Sequence, residues 1–135
     1  MRGLWARWRG RRGKRGRRRL DAALKARVRA AYAEGRPIPE ELARRAALAG
    51  DREGMTVYGI GLGNRGAFPE ALHWLGKAVA AGDLTALVVL GTLHLDRGDP
   101  AEAERHFRKA ADRGHPGARV ALQQLRARRN GAAGH

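Results

Sequence analysis

Few residues in this chain could do chemistry, and their types already narrow the field. Its 135 residues include no serine and no cysteine. The commonest covalent nucleophiles are therefore missing, as are disulfides and thiolate metal sites. Thr56, Thr85 and Thr92 carry hydroxyls, but no base stands beside any of them in the sequence. Glu102 and Glu104 sit on different faces of a helix, without the convergence that acid–base work needs. The five histidines do not show metal-ligand spacing. His73 and His94 fall in separate helical segments, and neither has a histidine four residues on. His106 and His115 are separated by a glycine turn. All are expected to be structural or solvated. No metal, cofactor or catalytic residue is predicted.

Two further stretches invite a ligand. "VYGIGLGNRG", Val57 to Gly66, has the glycine content of a phosphate loop, but Gly59, Gly61, Gly63 and Gly66 fit a dinucleotide fingerprint only loosely. That fingerprint also needs a preceding strand and an acid further on. The second stretch is residues 1–19, "MRGLWARWRGRRGKRGRRR", with ten Arg or Lys and no acid. Arg7, Arg9, Arg11, Arg12 and Lys14, with Arg15, Arg17, Arg18 and Arg19, would neutralise phosphates. Trp5 and Trp8 would stack on bases or sit at a membrane interface. A block of like charge repels itself, so residues 1–19 are predicted to be a disordered basic arm. They are a candidate for binding nucleic acid or another anionic surface.

The whole chain has a formal charge of +15, which leaves +5 on everything after Arg19. Arginine greatly outnumbers lysine, and Ala and Gly abound, a bias that GC-rich coding also produces without selection. Aromatics make up only 5%, so a core must rely on Leu, Val and Ala. Alanine favours helix and lets helices approach closely, but each one buries little surface. A stack of short helices suits this composition better than a compact globule. No apolar stretch follows the N-terminal charges as an export signal would require, and no run of about 18 apolar residues could span a bilayer. A cytoplasmic location is expected.

Helix punctuation is regular along the chain. "LDAALKARVRAAYAEG" sets Leu20, Leu24, Val28 and Tyr32 on one stripe and closes at Gly35. Pro39, Glu40 and Glu41 suit the first turn of a helix that stops at Gly50, and Asp51 caps the next. Pro69 and Glu70 open a helix ending at Gly82, and Asp83 opens one ending at Gly98. Asp99 and Pro100 start a helix ending at Gly114, and Pro116 begins the last, before "NGAAGH" frays. The count is about seven helices and no strand. Shifted by 32 residues, Gly50, Gly82 and Gly114 align, as do Ala46, Ala78 and Ala110. Val57 then falls on Val89, Gly59 on Gly91, and Arg65-Gly66 on Arg97-Gly98. Such a period marks helical repeat arrays, and each recurring glycine marks a reversal that needs positive φ.

On these residues the chain resembles the tetratricopeptide repeat. "LVVLGTLHLDRGDPAEAERHFRKA" offers Leu90-Gly91, Gly98, Ala103, Phe107 and Ala110 at the family's positions. The preceding unit offers Tyr58-Gly59, Gly66, Ala71, Leu75 and Ala78. The junctions "KAVAAGD" and "KAADRGH" look more like the related Sel-one-like repeat, in which histidine is common at the turn position held by His115. The resemblance covers about Glu40 to Arg129. It departs in the last helix, where Gln123, Gln124, Arg126 and Arg128 make a polar cap, and in the degenerate first pair, Leu20–Ala49.

The resemblance implies an all-α, right-handed α-solenoid of antiparallel hairpins, roughly three repeats over residues 20–130, with 131–135 as a frayed tail. It implies a non-enzymatic scaffold that holds a peptide or protein partner on its concave face, lined by the first helix of each hairpin. That surface would comprise Glu53, Thr56, Ile60 and Asn64, then Thr85, Val88, Thr92 and Leu95, then Val120 and Gln124. It lacks the basic residues with which some tetratricopeptide domains grip a terminal carboxylate. Trp74, beside the Ala71, Leu75 and Ala78 stripe, is read as wholly or partly core.

Overall fold

The computed structural model describes residues 21–133. The basic arm, with every arginine, lysine and tryptophan assigned to it, lies outside those residues, as do Leu20, Gly134 and His135. Seven helices follow one another, with no strand among the described residues. They are α1 (residues 21–33), α2 (Glu40–Leu48), α3 (Arg52–Asn64), α4 (Phe68–Ala80), α5 (Leu84–Asp96), α6 (Pro100–Asp112) and α7 (Pro116–Ala133). The last helix runs on through Asn130 and Gly131 into the segment expected to fray. Ala132 and Ala133 have the highest helix propensity of any residue type.

The turns explain the spacing. Gly35, Gly50, Gly66, Gly82, Gly98 and Gly114 all have positive φ, and no other residue does among those described. At each, the glycine N–H and the N–H that follows it return to carbonyls of the last helical turn, as Gly82 does to Val79 and Asp83 to Ala78. This pair of hydrogen bonds satisfies carbonyls that the helix end would leave orphaned. At Gly50, Gly82 and Gly98 the next residue is an aspartate whose carboxylate caps the following helix, accepting from Gly54, Thr85 and Glu102. One residue therefore ends a helix and its neighbour starts the next. His115 takes the same place after Gly114, its Nδ1 accepting from the Ala118 N–H. Pro39 precedes α2 as its cap residue instead of sitting inside the first turn.

The closest packing lies within the hairpins α3–α4 and α5–α6. A Cβ built on Gly59 would come within 2.6 Å of Leu75 Cγ, and one on Gly91 within 2.5 Å of Phe107 Cε1. Both glycines are therefore required for the helices to approach. Ala71, Ala78, Ala103 and Ala110 are fully buried from the opposite side. Leu75 and Phe107, also buried, fill the space between them. Burying a side chain of this size contributes about 1.5–3 kcal/mol. Phe107 also meets Leu122 and Leu125 of α7, sealing one hairpin to the next element. Trp74 is half-buried against the central cluster, its ring 5.6 Å from that of Tyr58 and with Lys77 Nζ over it. On α7 the buried residues Ala118, Leu122 and Leu125 make a single stripe, and Arg126 and Arg129 reach back to Glu104 of α6. No helix among the described residues is long and apolar enough to cross a membrane.

Candidate functional site

Where α3 meets α5 directly, their outer faces form a groove of about 220 Å³. Ile60 and Asn64 line it from α3. Val88, Val89, Thr92, Leu93 and Asp96 line it from α5. The rise of the helix puts residues four apart on one face, so Ile60 and Asn64 share a side, as do Val88, Thr92 and Asp96. The floor is apolar. Thr92 donates its hydroxyl to the Val88 carbonyl one turn back at 3.0 Å, so only its oxygen lone pair faces outward. Asn64 and Asp96 are exposed at one end, and Asp96 makes no ion pair among the described residues. Leu93 can form part of the floor because Gly63 has no side chain: a Cβ there would lie 2.6 Å from Leu93 Cδ2.

The structure thus gathers four of the ten concave-face residues, Ile60, Asn64, Val88 and Thr92, around one groove. The others lie elsewhere. Thr56 is fully buried, and its hydroxyl donates to Asp83 Oδ2 at 2.5 Å, tying α3 to the start of α5. Leu95 turns into the cluster of Phe107, Leu122 and Leu125. Thr85 has its backbone N–H on Asp83 and its hydroxyl 3.5 Å from His115 Nε2. Glu53 lies in a separate polar hollow of about 660 Å³, paired with Arg29 and Arg52. Val120 and Gln124 are exposed on α7, away from the groove.

The caps at Asp51, Asp83 and His115 share a second task. Asp51 accepts from Arg29 of α1, Asp83 from Thr56 of α3, and His115 faces Thr85 of α5. Each cap therefore bridges to the first helix of the preceding hairpin. Nδ1 of His115 accepts a backbone N–H, so its neutral ring carries the proton on Nε2. Of these, the Thr56–Asp83 bond joins α3 to the start of α5, the two helices that line the groove.

Sequence reasoning missed Val89, Leu93 and Asp96 in the groove. It also missed a cluster in the turn region of α5–α6. There His94, Glu102 and His106 each offer a ligand atom, all within 4.8 Å of one another. The imidazoles of His94 and His106, which lie in different helices, stack with centroids 5.2 Å apart. A glycine turn folds two helices back on one another, so residues on either side of it meet. Burial, and then the neighbouring His94, hold the His106 pKa below the ordinary 6.5, partly opposed by Glu102; Lys109 and Arg105 push it down further. The signal available beforehand was Glu102 and His106 one turn apart, with His94 across Gly98.

Residues 84–114, which span α5, α6 and the turn glycines that flank α6, match the model of the tetratricopeptide repeat family. No curated protein matches the chain. The described residues therefore contain a tetratricopeptide-type helical repeat, and this supports a general role as a protein–protein interaction scaffold.

Proposed function

We propose that the repeat body holds a short peptide segment of a partner protein in the α3–α5 groove. The observation that carries this reading is the chemistry of the groove. An apolar floor of Ile60, Val88, Val89 and Leu93 ends at Asn64 and at Asp96, which makes no ion pair among the described residues. Such a surface suits a peptide with a medium-sized apolar anchor followed by a lysine or arginine that reaches Asp96. The Asn64 amide and the Thr92 oxygen are available to its backbone. The lack of serine and cysteine in the sequence supports a non-enzymatic role. The junctions "KAVAAGD" and "KAADRGH" favour the Sel-one-like variant of the repeat, with the cytoplasm as its proposed location.

The test is a binding screen with immobilised peptides that vary the anchor and the basic position, followed by titration of the best binder. Ile60→Asp puts a charge in the floor at a residue outside the core clusters and should abolish binding while the helical circular dichroism is retained. Asp96→Asn should weaken only the peptides that carry the basic residue. Undiminished binding to Ile60→Asp would reject the groove.

A second reading rests on the density of arginine with Trp5 and Trp8 in residues 1–19: the arm would bind nucleic acid or an anionic membrane surface. Deleting residues 1–19 separates the two. Peptide binding should survive the deletion, whereas binding to nucleic acid should collapse. Before deletion, nucleic-acid binding should fall steeply with salt; a flat salt response would reject this reading.

A further inference from the structure

The α5–α6 hairpin carries imidazoles where its twin carries apolar side chains. Shifted by one repeat of 32 residues, His94 corresponds to Leu62, His106 to Trp74 and Glu102 to Glu70. Leu62 is fully buried, and Trp74 packs against the same cluster. In the second hairpin the equivalent space holds two stacked rings, their planes 15° apart. Phe68 sets its edge against His94, and Arg97 lies over the far side of Phe68. His106 Nδ1 is buried without a hydrogen-bond partner. His106 Nε2 stands 3.9 Å from Glu102 Oε2, too far for a hydrogen bond. The other oxygen, Oε1, is held by Arg105 at 2.7 Å, which orients the carboxylate and leaves Oε2 facing the rings. Polar atoms placed in a repeat core and left unsatisfied need an explanation.

We propose that His94, Glu102 and His106 bind one zinc ion, which clips α5 to α6. Two imidazoles and a carboxylate are a ligand set that zinc accepts. Its bonds of about 2.0–2.2 Å place tetrahedral ligand atoms roughly 3.4 Å apart. From present separations of up to 4.8 Å the ligand atoms would close by little more than 1 Å, and the stacked rings would tilt apart so that each nitrogen lone pair points at the ion. The fourth position faces solvent and takes water. Both imidazoles must be neutral to bind. A hard cation such as Mg²⁺ prefers oxygen ligands and should not compete.

The experiment uses the full chain, stripped with a chelator. Addition of Co²⁺ should produce the intense visible bands of a four-coordinate site at one ion per chain. Zn²⁺ should displace it and raise the melting temperature, and Mg²⁺ should do neither. His94→Gln or His106→Gln should remove the bands. Glu102→Gln, on the helix surface, should keep the fold and lose about tenfold or more in affinity. If the histidine variants fail to fold, the Glu102→Gln affinity and zinc-induced shifts of the His94 and His106 ring protons decide the matter. Absent cobalt bands would overturn the proposal. So would bands that persist in the histidine variants, or unchanged affinity in Glu102→Gln.

Discussion

The α3–α4 and α5–α6 hairpins are built on one template and filled differently. Both open with an aspartate cap, turn on a glycine of positive φ, and bring the helices together over a glycine in the first helix, Gly59 or Gly91. In the first hairpin Gly59 receives Leu75, and Tyr58, Leu62 and Trp74 complete an apolar interior. In the second Gly91 receives Phe107, and the space nearer the turn passes to His94 and His106. The backbone frame therefore depends on a few positions, and the rest of the interior is free to carry other chemistry. The second hairpin also contributes most of the residues that line the α3–α5 groove.

The most damaging way to break the comparison is to remove what joins the second hairpin to its neighbour. Phe107→Ala should cost about 3–5 kcal/mol, against about 2–5 kcal/mol for Leu75→Ala, and calorimetric melting would rank the two. Adding a methyl group at the helix crossing comes next. Gly91→Ala would press on a buried ring and should lose about 1–3 kcal/mol. The loss should be similar in Gly59→Ala if the two crossings are equivalent, and unequal melting shifts would show that they are not. Gly82→Val, at a turn with φ +94°, belongs in the same range, about 1–3 kcal/mol. An unchanged melting temperature would remove the turn assignment.

Smaller effects test the caps and the histidines. Asp83→Ala loses a helix cap and leaves the buried Thr56 hydroxyl only its longer bond, 3.3 Å, to the Arg52 carbonyl. It should cost more than Asp99→Ala, which loses only an exposed cap worth about 1 kcal/mol. Urea midpoints would measure the difference. The smallest effect is one of pH. His106 binds a proton less readily in the fold than in the unfolded chain, so the unfolded state takes up the extra proton as pH falls through 6.5. Stability should be full above that pH and decline below it, until the lowered folded value is passed. Replacing both histidines with their counterparts, His94→Leu with His106→Trp, should flatten this decline in melts taken across the range. An undiminished slope would show that other groups cause it.

Much of the local structure was legible in the residues. Gly50-Asp51, Gly82-Asp83 and Gly98-Asp99 state a helix end and a helix start in two letters, because positive φ and a carboxylate two or three residues from its N–H partner are local requirements. Four-residue spacing likewise marked Ile60 with Asn64, and Val88 with Thr92. It did not separate Thr56 from Ile60, although one is sealed in the stack and the other opens on the groove. That distinction depends on how far α3 is rotated about its axis, which is set by contacts with α4 and α5.

The amino-acid order by itself determined that the described chain would be a row of short helices with alanine and glycine at their crossings. Backbone conformation and capping are decided by neighbours a few residues away. Which side chains meet was decided only in three dimensions. Thr56 finds Asp83, Leu95 leaves the groove, and His94 stacks on His106 because Leu75 and Phe107 seat against Gly59 and Gly91 and so fix each helix's rotation. A rotation of one helical position would have exchanged groove for core at each of these sites.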